Sequence, residues 1–162
     1  MARTDQFTMT PSVLDRLIDF APELTTEPDW ASSQGVNELR EAVKRDLETL
    51  LNTRQTRPEL MNSPDELATS VLTYGLPDFE SGVVGGVEEQ AEVLREAVER
   101  AIQRFEPRLI QIQVMRMPAA NQYERSLHLV IDAMLRIDPE PVPVTFDTIL
   151  QPNLGTCQVE AK

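Results

Sequence analysis

The chain has 162 residues and a mass of 18.3 kDa, enough for one domain that buries roughly 70% of the surface its unfolded form exposes. A formal net charge of -12 argues against nucleic acid or any other polyanion as a partner and favours basic or mixed protein surfaces. One cysteine excludes an internal disulfide framework, the lack of a Cys/His cluster excludes structural zinc, and no apolar run approaches the ~20 residues that cross a bilayer. A reducing, cytoplasmic setting is therefore expected, with no metal, no cofactor and no direct membrane insertion.

Residues 1–10 are polar and read as a flexible terminus, with residues 11–162 as a single domain. Pro11-Ser12 opens a short helix whose Val13, Leu14, Leu17 and Ile18 share one face, a small docking helix that ends near Pro22. Residues 21–34 form a Pro/Ser/Thr-rich linker with Trp30 as its large apolar anchor. Ser32 or Ser33 can cap the next helix, which carries Val36, Leu39, Val43, Leu47, Leu50 and Leu51 at spacings of three and four; Asn52 is expected to close it in a left-handed conformation. Thr53 to Pro58 then runs exposed, with Arg54 and Arg57 basic in an acidic protein.

Ser63-Pro64-Asp65-Glu66 is a helix start, and the helix should reach about Tyr74. Gly75 to Phe79 reads as a turn and residues 81–86 as a flexible glycine loop. From Val87 to Phe105 the apolar side chains Val87, Ala91, Leu94, Val98, Ala101, Ile102 and Phe105 make one helical stripe. At Phe105-Glu106-Pro107-Arg108-Leu109 that pattern stops and β alternation begins, because proline cannot donate a backbone hydrogen bond and biases its predecessor away from helix.

Four strands follow. Ile110, Ile112 and Val114 alternate with polar neighbours, and Leu127 to Ile137 alternates without interruption. Val142 to Asp147 begins with Pro141 and Pro143, whose missing donors lie on one side, so its first half should not be central and the strand reads as an edge or a late joiner. Thr156 to Glu160 is a short tail strand with Cys157 and Val159 on one face.

Ser12 to Leu17, Asp46-Leu47-Glu48, Leu50 to Arg54, Ser70-Val71-Leu72, Tyr74 to Asp78, Phe105 to Leu109 and Phe146-Asp147-Thr148 follow one another in a telling order. Together they resemble the TssE family, the wedge proteins of the type VI secretion baseplate and relatives of phage wedge proteins once labelled lysozyme-like. The resemblance implies an α/β domain of α+β type, with a mostly antiparallel sheet of about four strands in the C-terminal half packed against helices from the N-terminal half. It further implies a sheet related to the inner domain of contractile sheath subunits. By the same resemblance the partners are TssF, TssG and TssK in the wedge and the sheath subunits TssB and TssC, in a cytoplasmic baseplate docked at the inner membrane. Such a protein would present the first ring onto which sheath polymerises.

The family's Glu-Pro-Arg motif falls on Glu106, Pro107 and Arg108, and the resemblance implies a partner contact there. On the residues alone, the motif is a helix stop with a local ion pair. Arg54 and Arg57 are further partner-binding candidates, and the tail strand around Cys157, Gln158 and Val159 is the candidate edge for sheath contact by β-augmentation. Two other readings compete. An acidic adaptor or chaperone for a basic partner would satisfy the net charge, and a lysozyme-like hydrolase would need two carboxyl groups, one kept protonated. Glu106 has Arg108 as its natural neighbour, and a nearby cation favours the ionised form, the wrong state for a general acid. Asp132 and Asp147 are second carboxylates by guesswork only, and His128 reads as a surface histidine. A structural, non-enzymatic subunit is the expectation.

Overall fold

The computed structural model describes residues 13–17, 23, 36–78, 87–118, 126–138, 140–151 and 156–161. The expected flexible terminus, the Trp30 linker, the Ser32/Ser33 cap and the glycine loop at 81–86 lie outside the described residues. Helix α1 (Val13–Leu17) has five residues, with Val13, Leu14 and Leu17 exposed. Helix α2 (Val36–Asn52) turns Leu39, Val43, Leu47, Leu50 and Leu51 inward, as its three-and-four spacing requires. Asn52 ends α2 without a left-handed backbone, since Gln111 is the only described non-glycine residue with positive φ. Its side chain has another task, described below.

The helix expected from Pro64 to about Tyr74 is shorter. Helix α3 (Asp65–Ala68) stops after four residues, and a 3-10 turn at Val71–Thr73 replaces the rest. The reason is local competition: Ser70 Oγ donates to the Leu67 carbonyl at 2.7 Å, and Thr73 Oγ1 donates to the carbonyls of Ala68 and Ser70 at 2.7 and 3.0 Å. Thr73 is fully buried, so those bonds fix the turn. The chain then doubles back beside α2's exit. Gln55 N–H donates to the Leu76 carbonyl and Leu76 N–H to the Thr53 carbonyl, at 2.9 and 2.8 Å, across an Arg54–Leu76 parallel bridge. Gly75 permits this approach: its φ is 103°, and a Cβ there would lie 2.3 Å from the Thr53 carbonyl oxygen.

Helix α4 (Val87–Phe105) buries Leu94, Ala97, Val98, Ala101 and Ile102, with Glu88 and Glu89 in its first turn and Arg104 in its last, where the helix dipole favours each sign. Strands β1 (Leu109–Arg116), β2 (Leu127–Leu135), β3 (Val142–Gln151) and β4 (Thr156–Ala161) form one antiparallel sheet in the order β1-β2-β3-β4. The architecture is α+β, with α4 packed against β1 and α2 against β4. Core side chains from α2 and α4 join Val114, Leu129, Ile131, Leu135, Val144, Phe146, Cys157 and Val159 in one cluster.

Two strand expectations are corrected. Alternation across β1 breaks at a bulge between Ile110 and Gln113, where Gln111 has φ 53°; the extra residue shifts the parity, so Leu109 and Val114 both point into the core. Strand β3 is internal rather than an edge, lying between β2 and β4. Its proline half behaves as the missing donors require. Val142 to Thr145 pair with β2 alone, and β4 joins only from Phe146 onward.

Candidate functional site

The corner after α4 is built by closing one hydrogen-bond pattern and opening another. Glu106 N–H still donates to the Ile102 carbonyl at 2.9 Å, so α4's ladder extends to it; Pro107 then ends the helix, and Leu109 N–H closes a tight turn onto the Glu106 carbonyl at 3.1 Å. Arg136 N–H donates to the Arg108 carbonyl at 2.8 Å, tying the corner to the end of β2. Three backbone hydrogen bonds, one from α4, one within the turn and one from the end of β2, therefore fix it.

Glu106 is only 4% exposed, whereas Pro107 faces solvent. A carboxylate so buried needs a partner, and Arg108 provides a fork: its Nε donates to Glu106 Oε1 and its Nη2 to Glu106 Oε2, both at 2.7 Å. The Arg108 backbone N–H adds a longer bond to Oε1, at 3.3 Å. Arg108 Nη2 also donates to Asp46 Oδ2 on α2 at 2.6 Å, and Asp46 Oδ1 accepts from Arg45 Nε and Nη2 at 3.2 and 2.9 Å. Two carboxylates and two guanidiniums thus alternate along Glu106–Arg108–Asp46–Arg45 and pin α2 to the corner.

Burial is the largest influence on the Arg108 guanidinium and works against its charge, yet the bonds and charges of Glu106 and then Asp46 outweigh it and push its pKa up. Tyr74 lies close enough to register the same carboxylates. Its phenol pKa is raised, mainly by burial and then by Asp46 and Glu106, and its ring meets Phe105 edge-on with centroids 5.2 Å apart.

The other nominated residues sit apart from this cluster. Arg54 Nη1 donates to Asp78 Oδ1 at 3.2 Å and Arg57 Nη1 to Glu59 Oε1 at 3.1 Å, both pairs exposed. Arg57 N–H donates to the Leu72 carbonyl at 2.9 Å, beside the exposed apolar side chains of Val71 and Leu72. On β4 the side chains of Cys157 and Val159 point into the core while Gln158 is exposed, so what that strand offers outward is backbone. The Cys157 thiol is pushed up to about 12 by burial and, secondarily, by Glu48.

Asp46 and Asn52 are the residues that reading for sites missed. Asp46 carried a signal, since Leu39, Val43, Asp46 and Leu50 follow a three-and-four progression that puts a carboxylate on the border of α2's apolar stripe. A charge in that position needs a tertiary partner.

Among the described residues no group of histidine, cysteine and acidic side chains could hold a metal, and no helix is long and apolar enough to cross a membrane. Both Glu106 oxygens are occupied by Arg108, so the most buried carboxylate among the described residues is engaged in the ion chain that reaches α2. The charged corner thus cross-links the domain's own helix and sheet. The chain belongs to the family of baseplate wedge protein gp25, whose family model matches residues 37–140. That span runs from α2 to the end of β2 and contains the whole Glu106–Arg108–Asp46–Arg45 chain; β3 and β4 lie beyond it. No curated protein matched the sequence.

Proposed function

We propose that this protein is a TssE-like, non-enzymatic subunit of a type VI secretion baseplate wedge that binds TssF and TssG and templates the first ring of TssB/TssC sheath. The observation that carries the reading is membership of the wedge family coinciding with a corner whose backbone is fixed by three hydrogen bonds and whose apex, Pro107, is exposed. A contact surface that is already rigid gives up little entropy on binding. Glu106 is too buried to meet a partner directly, so the contact falls to Pro107 and the outer side of Arg108, which the carboxylates beneath hold in place. Sheath contact is assigned to β4, an edge strand.

The test is co-expression with TssF and TssG followed by affinity purification. Pro107→Lys changes the exposed apex and leaves the four-residue ion chain alone; it should lose TssF and TssG while keeping the wild-type melting temperature. Full recovery of both partners by Pro107→Lys would overturn the corner as the contact. For the sheath step, Ala161→Pro removes one backbone donor from the outer side of β4; wedges should form and sheaths should not, and visible sheaths in such cells would refute the assignment.

A further inference from the structure

The two edges of the sheet are protected differently. On β1, Met117 N–H donates to the His128 carbonyl, so the backbone groups of Gln113 and Met115 also point to β2, while those of Val114, whose side chain is in the core, point to the free edge. The Val114 carbonyl accepts from Arg95 Nη1 of α4 at 3.2 Å, and the bulge at Gln111 twists the rest of that edge. Strand β4 pairs with β3 in continuous register from Thr156 to Ala161 and has no bulge. It is the flatter edge and the better template for another strand.

One side chain occupies that edge. Asn52, the last residue of α2, accepts a hydrogen bond from the Cys157 backbone N–H on its Oδ1 at 2.7 Å and donates from Nδ2 to the Cys157 carbonyl at 2.9 Å. A carboxamide is chemically a peptide group, and this two-bond exchange is what one residue of a neighbouring antiparallel strand would make. Nδ2 also donates to the Glu48 carbonyl at 2.8 Å, which fixes the side chain against α2's last turn. Because Cys157 spends its backbone groups on Asn52, the alternation along β4 directs those of Val159 and Ala161 outward as well, and those of Thr156, Gln158 and Glu160 toward β3. Among the described residues no other side chain bonds to the outer edge of β4.

We propose that Asn52 is a built-in stand-in for a partner strand, which closes the β4 edge at Cys157 and leaves Val159 and Ala161 as the entry point. The proposal rests on the reading of β4 as the partner edge. The occupant is an extended segment of another polypeptide that pairs first at Val159 and Ala161 and advances to Cys157 by displacing the Asn52 amide, bond for bond. Its side chains alternate, apolar on the side shared with Cys157 and Val159, and polar with a basic residue on the side shared with Gln158 and Glu160. Without such a partner, Asn52 keeps copies of this chain from pairing edge to edge.

The test uses the full chain alone, so it stands apart from sheath assembly. Hydrogen exchange read by NMR at low protein concentration compares wild type with Asn52→Ala. The Cys157 amide should exchange about tenfold faster in the variant, while the Gln158 amide, bonded to β3, keeps its rate. An unchanged Cys157 rate overturns the proposal. Should all of β4 loosen in Asn52→Ala, Asn52→Asp decides: it keeps the acceptor for Cys157 N–H, so a protected amide supports the proposal and an unprotected one overturns it. At high concentration and about 0.5 M salt, which screens the acidic surface, sedimentation should find Asn52→Ala dimeric where wild type is monomeric, and adding Ala161→Pro should restore the monomer. An Asn52→Ala variant that stays monomeric throughout refutes the claim that Asn52 holds off a strand. Sheaths growing on Ala161→Pro wedges would instead sink the reading of β4 as the sheath edge, with the exchange result untouched.

Discussion

Among the described arginines, Arg108→Ala should cost the most stability by a wide margin. The change strands Glu106, 4% exposed, without the fork that holds both of its oxygens, and removes Asp46's link to the corner. Breaking a buried pair by deleting one partner costs about 3–5 kcal/mol. The Arg108 side chain is 21% exposed and Asp46 25%, so water enters the gap and about 2–4 kcal/mol is the working figure. Against a total of about 5–15 kcal/mol for a domain, that is a large fraction. Urea denaturation followed by circular dichroism would read it as a lower midpoint at unchanged slope. Asp46→Ala should cost less, about 1–2 kcal/mol, because Arg108 keeps Glu106. The double change Glu106→Leu with Arg108→Met should recover much of the loss, since apolar replacement of a whole buried pair is often neutral. Were Arg108→Ala within ~0.5 kcal/mol of wild type, or no worse than Arg54→Ala, whose exposed pair contributes about 0–1 kcal/mol, the corner would not be a structural cross-link. The same logic disqualifies charge reversal at Arg108 as a clean probe of partner binding. It would place two buried or half-buried carboxylates against a third.

Gly75→Ala should lower the melting temperature by several degrees, about 1–3 kcal/mol, because a Cβ at φ 103° meets the Thr53 carbonyl oxygen; a variant that melts with wild type would show that the 53–57 and 72–76 segments can separate at no cost. The Cys157 thiol, pushed up from its ordinary 9.0 to about 12 by burial, should resist iodoacetamide at pH 8 in the folded protein and react once urea unfolds it. The linkage has a definite sign. Because folding keeps this thiol protonated, its contribution to stability is complete below pH 9 and is lost as pH rises from about 9 toward 12, so alkaline unfolding should come later in Cys157→Ser than in wild type, relative to each protein's neutral stability. An identical alkaline transition in the two would refute the assignment.

Local chemistry wrote the repetitive elements into the sequence. The three-and-four stripes of α2 and α4, the uninterrupted alternation of β2 and the stop at Pro107 each depend on residues within a few positions of one another, and each appears where the pattern places it. The prolines at 141 and 143 likewise told which half of β3 would lack a second neighbour, but not that the other half would gain one, because that depended on a strand arriving ten residues later. Competition defeated the pattern elsewhere: side-chain hydroxyls at Ser70 and Thr73 shortened α3, and one extra residue at Gln111 reversed the parity of β1.

The sequence alone determined that this chain is acidic, that its helices precede its strands and that a proline corner joins them, because net charge is a sum over residues and periodicity and turn chemistry are properties of neighbouring ones. Tertiary structure decided what the polar side chains are for. Asp46 lies 62 positions from Arg108, and Asn52 lies 105 positions from Cys157. No local rule pairs residues at such separations; only packing α2 against both the corner and β4 makes one a cross-link and the other a cap on the sheet's open edge.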